Sequence, residues 1–366
     1  MEGDFFYVML SGVAGLLFTV LTMPFLLKYC RMKGFYDMPG GRKVHREAVP
    51  RLGGILFMPA MLVGLAVALS FYAWDGHGVF VIKVTSVMMA VGAFLVYIIG
   101  AIDDLVGMKA THKFMVQLVA ALVLPFCWLH INNFYGLFGL YELPVWFSYP
   151  FSVFVILLIV NSVNLIDGID GLASGLCICI LAAYIFLYMQ MDNTFIYAVG
   201  AAGLLGSLLA FFYYNVWGKT EKGTKTFMGD SGSLFLGYAL AYLSIKYAMD
   251  NPAALPYRGD ALLVSYTLLI VPTFDVIRVA LLRLYRRKPV FGADKSHIHH
   301  VVMAAGFSMH GALCVILGLF FFFCLLNYGL SQTCFCATWI VVLDVFFFCL
   351  FHWTMWRIGR RNKLLK

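Results

Sequence analysis

The sequence predicts an all-α, polytopic membrane helix bundle of about eleven transmembrane helices, with the N-terminus outside and the C-terminus cytoplasmic. Three observations carry that prediction. The 366-residue chain is 62% hydrophobic and only 12% charged, whereas a soluble domain is roughly half apolar and a quarter charged, so most of its surface must face lipid. Its apolar residues fall into separate blocks of about 18 to 25, the length that crosses a hydrocarbon core of about 30 Å as helix. Its Lys and Arg residues gather in alternate connections, as they do on the cytoplasmic side of a membrane.

The first span covers 5–27. Glu2 and Asp4 precede it, Lys28, Arg31 and Lys33 follow it, and no basic leader or small-residue cleavage site is evident. It therefore reads as a retained helix rather than a cleaved signal. Spans at 53–74 and 79–102 follow, the second ending in Asp103 and Asp104. A span at 114–131 leads to the loop 132–148, which is aromatic-rich with Glu142 as its only charge and is expected to lie along the membrane interface. The remaining spans are 149–166, 172–189, 195–214, 231–248, 260–282, 309–330 and 335–356.

Segment 28–51 carries seven Lys or Arg, 103–113 two, 215–230 three, 278–300 six and 357–366 five. These lie on one side of the span map, whereas Arg258, Lys83 and Lys246 are the basic residues of the other. The net charge of +8 is thus a property of one surface, suited to anionic headgroups and a phosphorylated substrate, and nucleic acid is not needed to explain it. The nine cysteines are scattered, mostly inside apolar spans, where cysteine is a small hydrophobe. Cys334 and Cys336 at the outer surface decide nothing by their spacing. No internal repeat divides the chain, which reads as one domain over 1–366.

Acidic residues are costly at membrane depth and are functional suspects where they recur. Here they cluster on the basic side. Asp103 and Asp104 end the third span, Asp167 and Asp170 end the fifth, Asp230 opens the eighth, and Asp294 precedes the tenth. Asp167 and Asp170 stand at i, i+3, on one side of a helical turn, and Gly168 and Gly171 allow close approach of backbone or ligand. For any one pair, capping of a helix end explains the acids equally well, but several such places on one face do not reduce to caps. Phe227 to Ser233 runs from a basic loop into a helix start, which suits a phosphate or an ordinary N-cap. His297, His299 and His300 could suggest zinc. Carboxylate oxygens outnumber nitrogens on this face, however, which better matches magnesium on a diphosphate, with histidine and arginine at phosphate oxygens.

With these residues in hand, the chain resembles the polyprenyl-phosphate N-acetylhexosamine-1-phosphate transferases. The resemblance covers about 20–305. It rests on Pro50-Arg-Leu-Gly-Gly54, Ile102-Asp-Asp104, the run Asn161-Ser-Val-Asn-Leu-Ile-Asp-Gly-Ile-Asp-Gly-Leu172, Phe227-Met-Gly-Asp-Ser-Gly-Ser-Leu234 and His297-Ile-His-His300. The His-Ile-His-His form is similar to the branch that makes polyprenyl-diphosphate GlcNAc, which favours a simple UDP-N-acetylhexosamine donor.

The resemblance implies transfer of HexNAc-1-phosphate, foremost GlcNAc-1-phosphate, from the UDP-sugar to undecaprenyl phosphate, with release of UMP, initiating a bacterial cell-envelope polysaccharide. It implies Mg2+, with Mn2+ as a substitute, a place in the inner membrane with the site on the cytoplasmic face, and a homodimer. Asp230, Asp103 and Asp104 are the implied metal residues. Asp103, Asp104, His297, His299 and His300 are the implied catalytic group. Asn164, Asp167, Gly168, Asp170, Asn215 and Phe227, with Arg46 from the 42–51 loop, are implied at the nucleotide-sugar. Arg42, Lys43, His45 and Arg51 are further candidates for phosphate or sugar.

The competing readings are a transporter and an inactive lipid-binding relative. Transporters place ionisable groups near the midplane, where this chain has only Asp275 and Asp344. Asp275, with Arg278 at i+3, reads as a bundle ion pair or cleft wall, and Asp344 as structural or a misjudged helix boundary. Intact acidic motifs argue against an inactive relative.

Overall fold

The computed structural model describes residues 2–37, 48–77, 84–252, 255–289, 296–333 and 335–362. Among them are twelve α-helices: α1 (Glu2–Lys33), α2 (Phe57–Trp74), α3 (Val84–Val106), α4 (Ala110–Phe126), α5 (Val145–Ile166), α6 (Leu172–Met189), α7 (Phe195–Val216), α8 (Gly229–Ala248), α9 (Ala261–Tyr285), α10 (Ile298–Ala304), α11 (Met309–Ser331) and α12 (Ala337–Arg361). Nine of these are long and apolar enough to cross a membrane, and α4 is a shorter apolar helix. Helices are the expected solution, because lipid offers no partner for backbone N–H and C=O groups. The expected all-α bundle is what the chain forms, and the eleven helices other than α10 follow the eleven expected spans in order. The seven-residue α10 is an addition.

The central member is α8. Every residue from Ser231 to Ala248 is buried, against α3, α5, α9, α6 and α2. Facing protein on all sides, α8 accommodates Ser231, Ser233, Ser244 and Lys246 in its interior, where a lipid-facing helix of the same length could not do so cheaply. Around it, α1 packs on α2 and α7. Gly12 and Gly15 of α1 meet Gly203 and Gly206 of α7 backbone to backbone, and Thr19 and Ser207 hydrogen-bond between the same two helices at 2.7 Å. Small residues and interhelical hydroxyls hold helices together where lipid removes the hydrophobic drive.

Several helix ends differ from expectation by a few residues, and α1 runs on to Lys33 rather than 27; two of the differences have a structural cause. The fourth helix ends at Phe126 rather than 131, and the fifth begins at Val145 rather than 149. Between them residues 132–143 fold back as a hairpin, with Phe134 N–H on Tyr141 O and Leu143 N–H on Asn132 O, both at 2.8 Å. Trp128, Tyr141 and Trp146 stand exposed around it. Hydropathy alone cannot separate such an aromatic hairpin from a helix end, since both are apolar.

At the opposite end, two-residue antiparallel strands, β1 (Tyr36–Asp37) and β2 (Val49–Pro50), bring together the limbs of the loop between α1 and α2. The backbone after β2 is paired in turn. Phe227 N–H reaches Pro50 O at 2.8 Å, while Gly53 and Gly54 N–H reach Phe227 O and Met228 O at 3.0 and 2.9 Å. The Pro-Arg-Leu-Gly-Gly segment is thus a cradle for the approach to α8. A side chain on Gly54 would run into Gly232 and Met228, so glycine is what the packing admits there.

Candidate active site

The site begins with two adjacent aspartates that do different things. Asp104 is 5% exposed and accepts from the N–H of Asp230 at 2.8 Å, the N–H of Ser231 at 2.9 Å and the Ser231 hydroxyl at 2.8 Å. A carboxylate on the unpaired N–H groups of a helix start is well placed. It locks the end of α3 to the beginning of α8. Asp103 makes none of these backbone contacts to α8. Its carboxylate accepts from Met108 N–H at 2.5 Å and from the Lys113 ammonium at 3.1 Å.

Lys113, in the first turn of α4, also donates to Asp230 at 2.6 Å. The other oxygen of Asp230 accepts from the Asn164 amide at 2.5 Å, and Asn164 reaches Ser233 Oγ at 2.8 Å. One turn along α4 from Lys113, buried Gln117 accepts from Asn161 at 2.9 Å. The two asparagines of the 161–172 motif therefore have separate tasks. Asn164 orients Asp230, and Asn161 fixes α4 against α5.

The α5–α6 connection forms the adjoining wall. Gly171 has φ +81 and starts α6, and its N–H donates to Asn215 Oδ1 at 2.7 Å. The Asn215 amide donates to Thr226 O at 2.9 Å, so both ends of this side chain bind backbone and join the 168–171 turn to the segment leading to Phe227. Asp170 pairs with Lys225 at 2.6 Å. Phe227 is half-buried. Asp167 has no hydrogen bond or ion pair among the described residues. Burial, then the carboxylates of Asp170, Asp230 and Asp104, push its pKa up to about 7.

The histidine segment is anchored from α9. Asp275, 1% exposed, binds His297 Nδ1 at 2.8 Å, Ile298 N–H at 2.9 Å and the Arg278 guanidinium at 2.8 Å. Arg278 also donates to Ser296 O. Asp275 is thus both the ion pair expected from its i+3 arginine and the peg for the start of α10. His299 is 3% exposed, and its ring occupies the space beside Gly168 that a Cβ would need. Burial, reinforced by His300, lowers its pKa to about 3, so this imidazole is neutral. Its Nδ1 has no hydrogen-bond partner among the described residues. The half-buried His300 ring lies 4.2 Å from it.

Asp103, Asp104, Asp230 and Asn164 are therefore joined in one network. Asp167, Gly168 and Asp170 form the neighbouring turn, Asn215 ties it to the segment that holds Phe227, and His299 closes on Gly168. Arg46, with Arg42, Lys43, His45, Asp294 and Cys334, lies outside the described residues. In the sequence Lys113 and Lys225 are read alike as topological charges, and nothing there marks Gln117 or the grip of Asp275 on His297. For Lys113 a signal existed: a lysine opening an apolar helix a short loop after two aspartates. Among the described residues no group of three or more His, Cys, Asp or Glu side chains is arranged to hold a metal ion.

An apolar groove of about 390 Å³ runs between α5 and α9 towards the 132–143 hairpin and the start of α12, lined by residues including Val155, Leu158, Leu262, Tyr266, Phe274 and Ile277. Leu158 is six residues before Asn164, or about 9 Å along the helix.

Residues 86–248 match the family model described as glycosyl transferase family 4. That segment runs from α3 to the end of α8 and holds Asp103, Lys113, the 161–172 motif and Asp230. The chain is similar to the probable undecaprenyl-phosphate N-acetylglucosaminyl 1-phosphate transferase of Bacillus subtilis (strain 168), at 29% identity over 346 residues, 94% of this chain and 90% of the relative. The undecaprenyl-phosphate alpha-N-acetylglucosaminyl 1-phosphate transferase of Escherichia coli (strain K12) is 27% identical over 302 residues, 82% of this chain and 77% of the relative. The protein of that name in Yersinia pestis is 26% identical over 340 residues, 91% and 88% of the two chains. The resemblance read from the motifs holds along most of the chain.

Proposed function

We propose, with that kinship as premise, that the chain transfers GlcNAc-1-phosphate from UDP-GlcNAc to undecaprenyl phosphate, releasing UMP, at the cytoplasmic face of a bacterial inner membrane. The observation that carries the reading is the convergence of Asp103, Lys113, Asp230 and Asn164 beside the Asp167–Gly171 turn, with an apolar groove on the same helix. A nucleotide diphosphate needs cations and hydrogen-bond donors, and a prenyl tail needs an apolar path. The two requirements meet along α5.

The donor set suits Mg2+. Asp103 and Asp230 present hard carboxylate oxygens close enough to share one lysine ammonium, and magnesium is commonly held by one or two carboxylates together with substrate phosphates. When bound there, Mg2+ supplies charge neutralisation at the reacting diphosphate. Asp104 acts from behind, by fixing the N-terminus of α8 and hence Asp230. Lys113 is placed to donate to a phosphate oxygen. Asp167, Asp170 and Phe227 border the nucleoside, with Asn215 holding their two segments together. His299, being neutral, contributes hydrogen bonding and shape, while His297 is committed to Asp275 and sets the position of α10.

The acceptor phosphate has a second pKa of about 6, so it is largely dianionic at neutral pH. It attacks the phosphorus bearing the sugar directly, and Asp103 orients it. The groove between α5 and α9 takes the polyprenyl tail.

The test is UMP release by purified protein given undecaprenyl phosphate, a panel of UDP-sugars and Mg2+, with chelator and Asp230→Ala as controls. Metal-dependent release with UDP-GlcNAc preferred is the expected result. No release from any donor by folded protein would reject the assignment.

A further inference from the structure

Lys113 stands between the two carboxylates that the proposed metal site uses, 3.1 Å from Asp103 and 2.6 Å from Asp230. Its side chain is 19% exposed, and those of Asp103 and Asp230 are 14% and 25% exposed. Such partly buried charges are only weakly screened, so each needs a counterion. Two neighbouring aspartates and one lysine sum to one negative charge, and the lysine already fills the position between them. A divalent cation and this ammonium therefore seek the same oxygens. Asn164 holds the other oxygen of Asp230 at 2.5 Å, so the oxygen shared with Lys113 is the one left to negotiate.

Building on the metal reading above, we propose that Lys113 is a built-in competitor for the divalent cation, which it cedes only when a nucleotide diphosphate arrives to accept its ammonium. Metal alone must break the Lys113 ion pairs and leave a cation without a partner. Metal together with a diphosphate gives Lys113 phosphate oxygens in exchange. Binding of metal and diphosphate is thereby coupled, and the coupling is reciprocal. The anchors make the exchange local. Gln117, one turn away on α4, is held by Asn161, and Met108 N–H keeps one oxygen of Asp103, so the ammonium can swing between carboxylate and phosphate without moving the helix.

The test is Mn2+ binding to purified wild type, Lys113→Gln, Lys113→Arg and Asp230→Asn, followed by electron paramagnetic resonance, with and without UDP. Lys113→Gln removes the competitor and is expected to bind Mn2+ without UDP about tenfold more tightly than wild type, the scale of a typical coupling. UDP then raises its affinity by a smaller factor than it does in wild type. Lys113→Arg keeps the ion pairs, and its planar fork can hold two carboxylate oxygens at once, so it is expected to bind Mn2+ no more tightly than wild type. Because it preserves the charge, this variant carries the test even where the glutamine variant does not fold.

If Asp230→Asn loses Mn2+ while Lys113→Gln is unchanged or weaker, or Lys113→Arg binds more tightly, the competition is overturned and the metal reading stands. If Asp230→Asn binds Mn2+ as wild type does, the metal reading itself falls.

Discussion

The His299 imidazole fills the space beside Gly168 that any side chain on that residue would occupy. Through this contact the turn after α5 and the histidine segment before α11, about 130 residues apart in sequence, become parts of one wall. Gly168→Ala must displace either the ring or the turn. Since misplacement by about 1 Å can cost on the order of 100-fold in rate, the variant is expected to lose activity by that order. UMP release against a thermal-unfolding control separates this from global damage.

The two neighbouring aspartates separate stability from chemistry. Asp104→Asn places an amide N–H against the donors that start α8, and leaving buried groups unpaired costs about 1–3 kcal/mol. Its unfolding temperature is expected to drop by several degrees. Asp103→Asn disturbs no helix start, so it is expected to unfold near the wild-type temperature while losing nearly all activity. Thermal unfolding in detergent, run beside UMP release, checks both.

Asp167 makes stability depend on pH in a definite direction. Its pKa rises from 3.8 unfolded to about 7 folded, so between these values the folded state holds a proton that the unfolded state has lost. Stability therefore falls as pH rises from about 4 to 7, and the full penalty remains above 7. Asp167→Asn removes the effect. The unfolding temperature of Asp167→Asn minus that of wild type is expected to grow from pH 5 to pH 8, and a constant difference would contradict the assignment.

Asp275→Ala leaves Arg278, His297 and the Ile298 N–H without their common acceptor. Removing one partner of a buried ion pair costs about 3–5 kcal/mol. The expected outcome is a loosened α10, read as faster hydrogen exchange across 297–304, with loss of activity.

Much of this architecture could be read in advance because lipid enforces a simple code. A helix such as α11 or α5 must be apolar over a full membrane thickness, and the acids of Asp103, Asp167 and Asp230 stand out against that background. The code weakens where protein replaces lipid as the neighbour. The seven residues of α10 are too few to show a period, and their placement depends on Asp275, 22 residues before His297. In the sequence Lys113 carries the same mark as the other loop lysines, and only the meeting of α3, α4 and α8 distinguishes it. Asn215 was expected at the nucleoside, yet its amide is bound at both ends to backbone, a role that no spacing rule expresses.

The enclosure of α8 bears on how the chain is made. A segment that opens with Asp230 and carries three serines and Lys246 is a poor candidate for residence in lipid by itself. Its walls on α3 and α5 are synthesised earlier, and α9, which completes the casing, comes directly after. During membrane insertion α8 therefore depends on a receptacle already assembled by its predecessors, and the helix that delivers Asp230 is also the one whose delivery requires the rest of the site to be waiting.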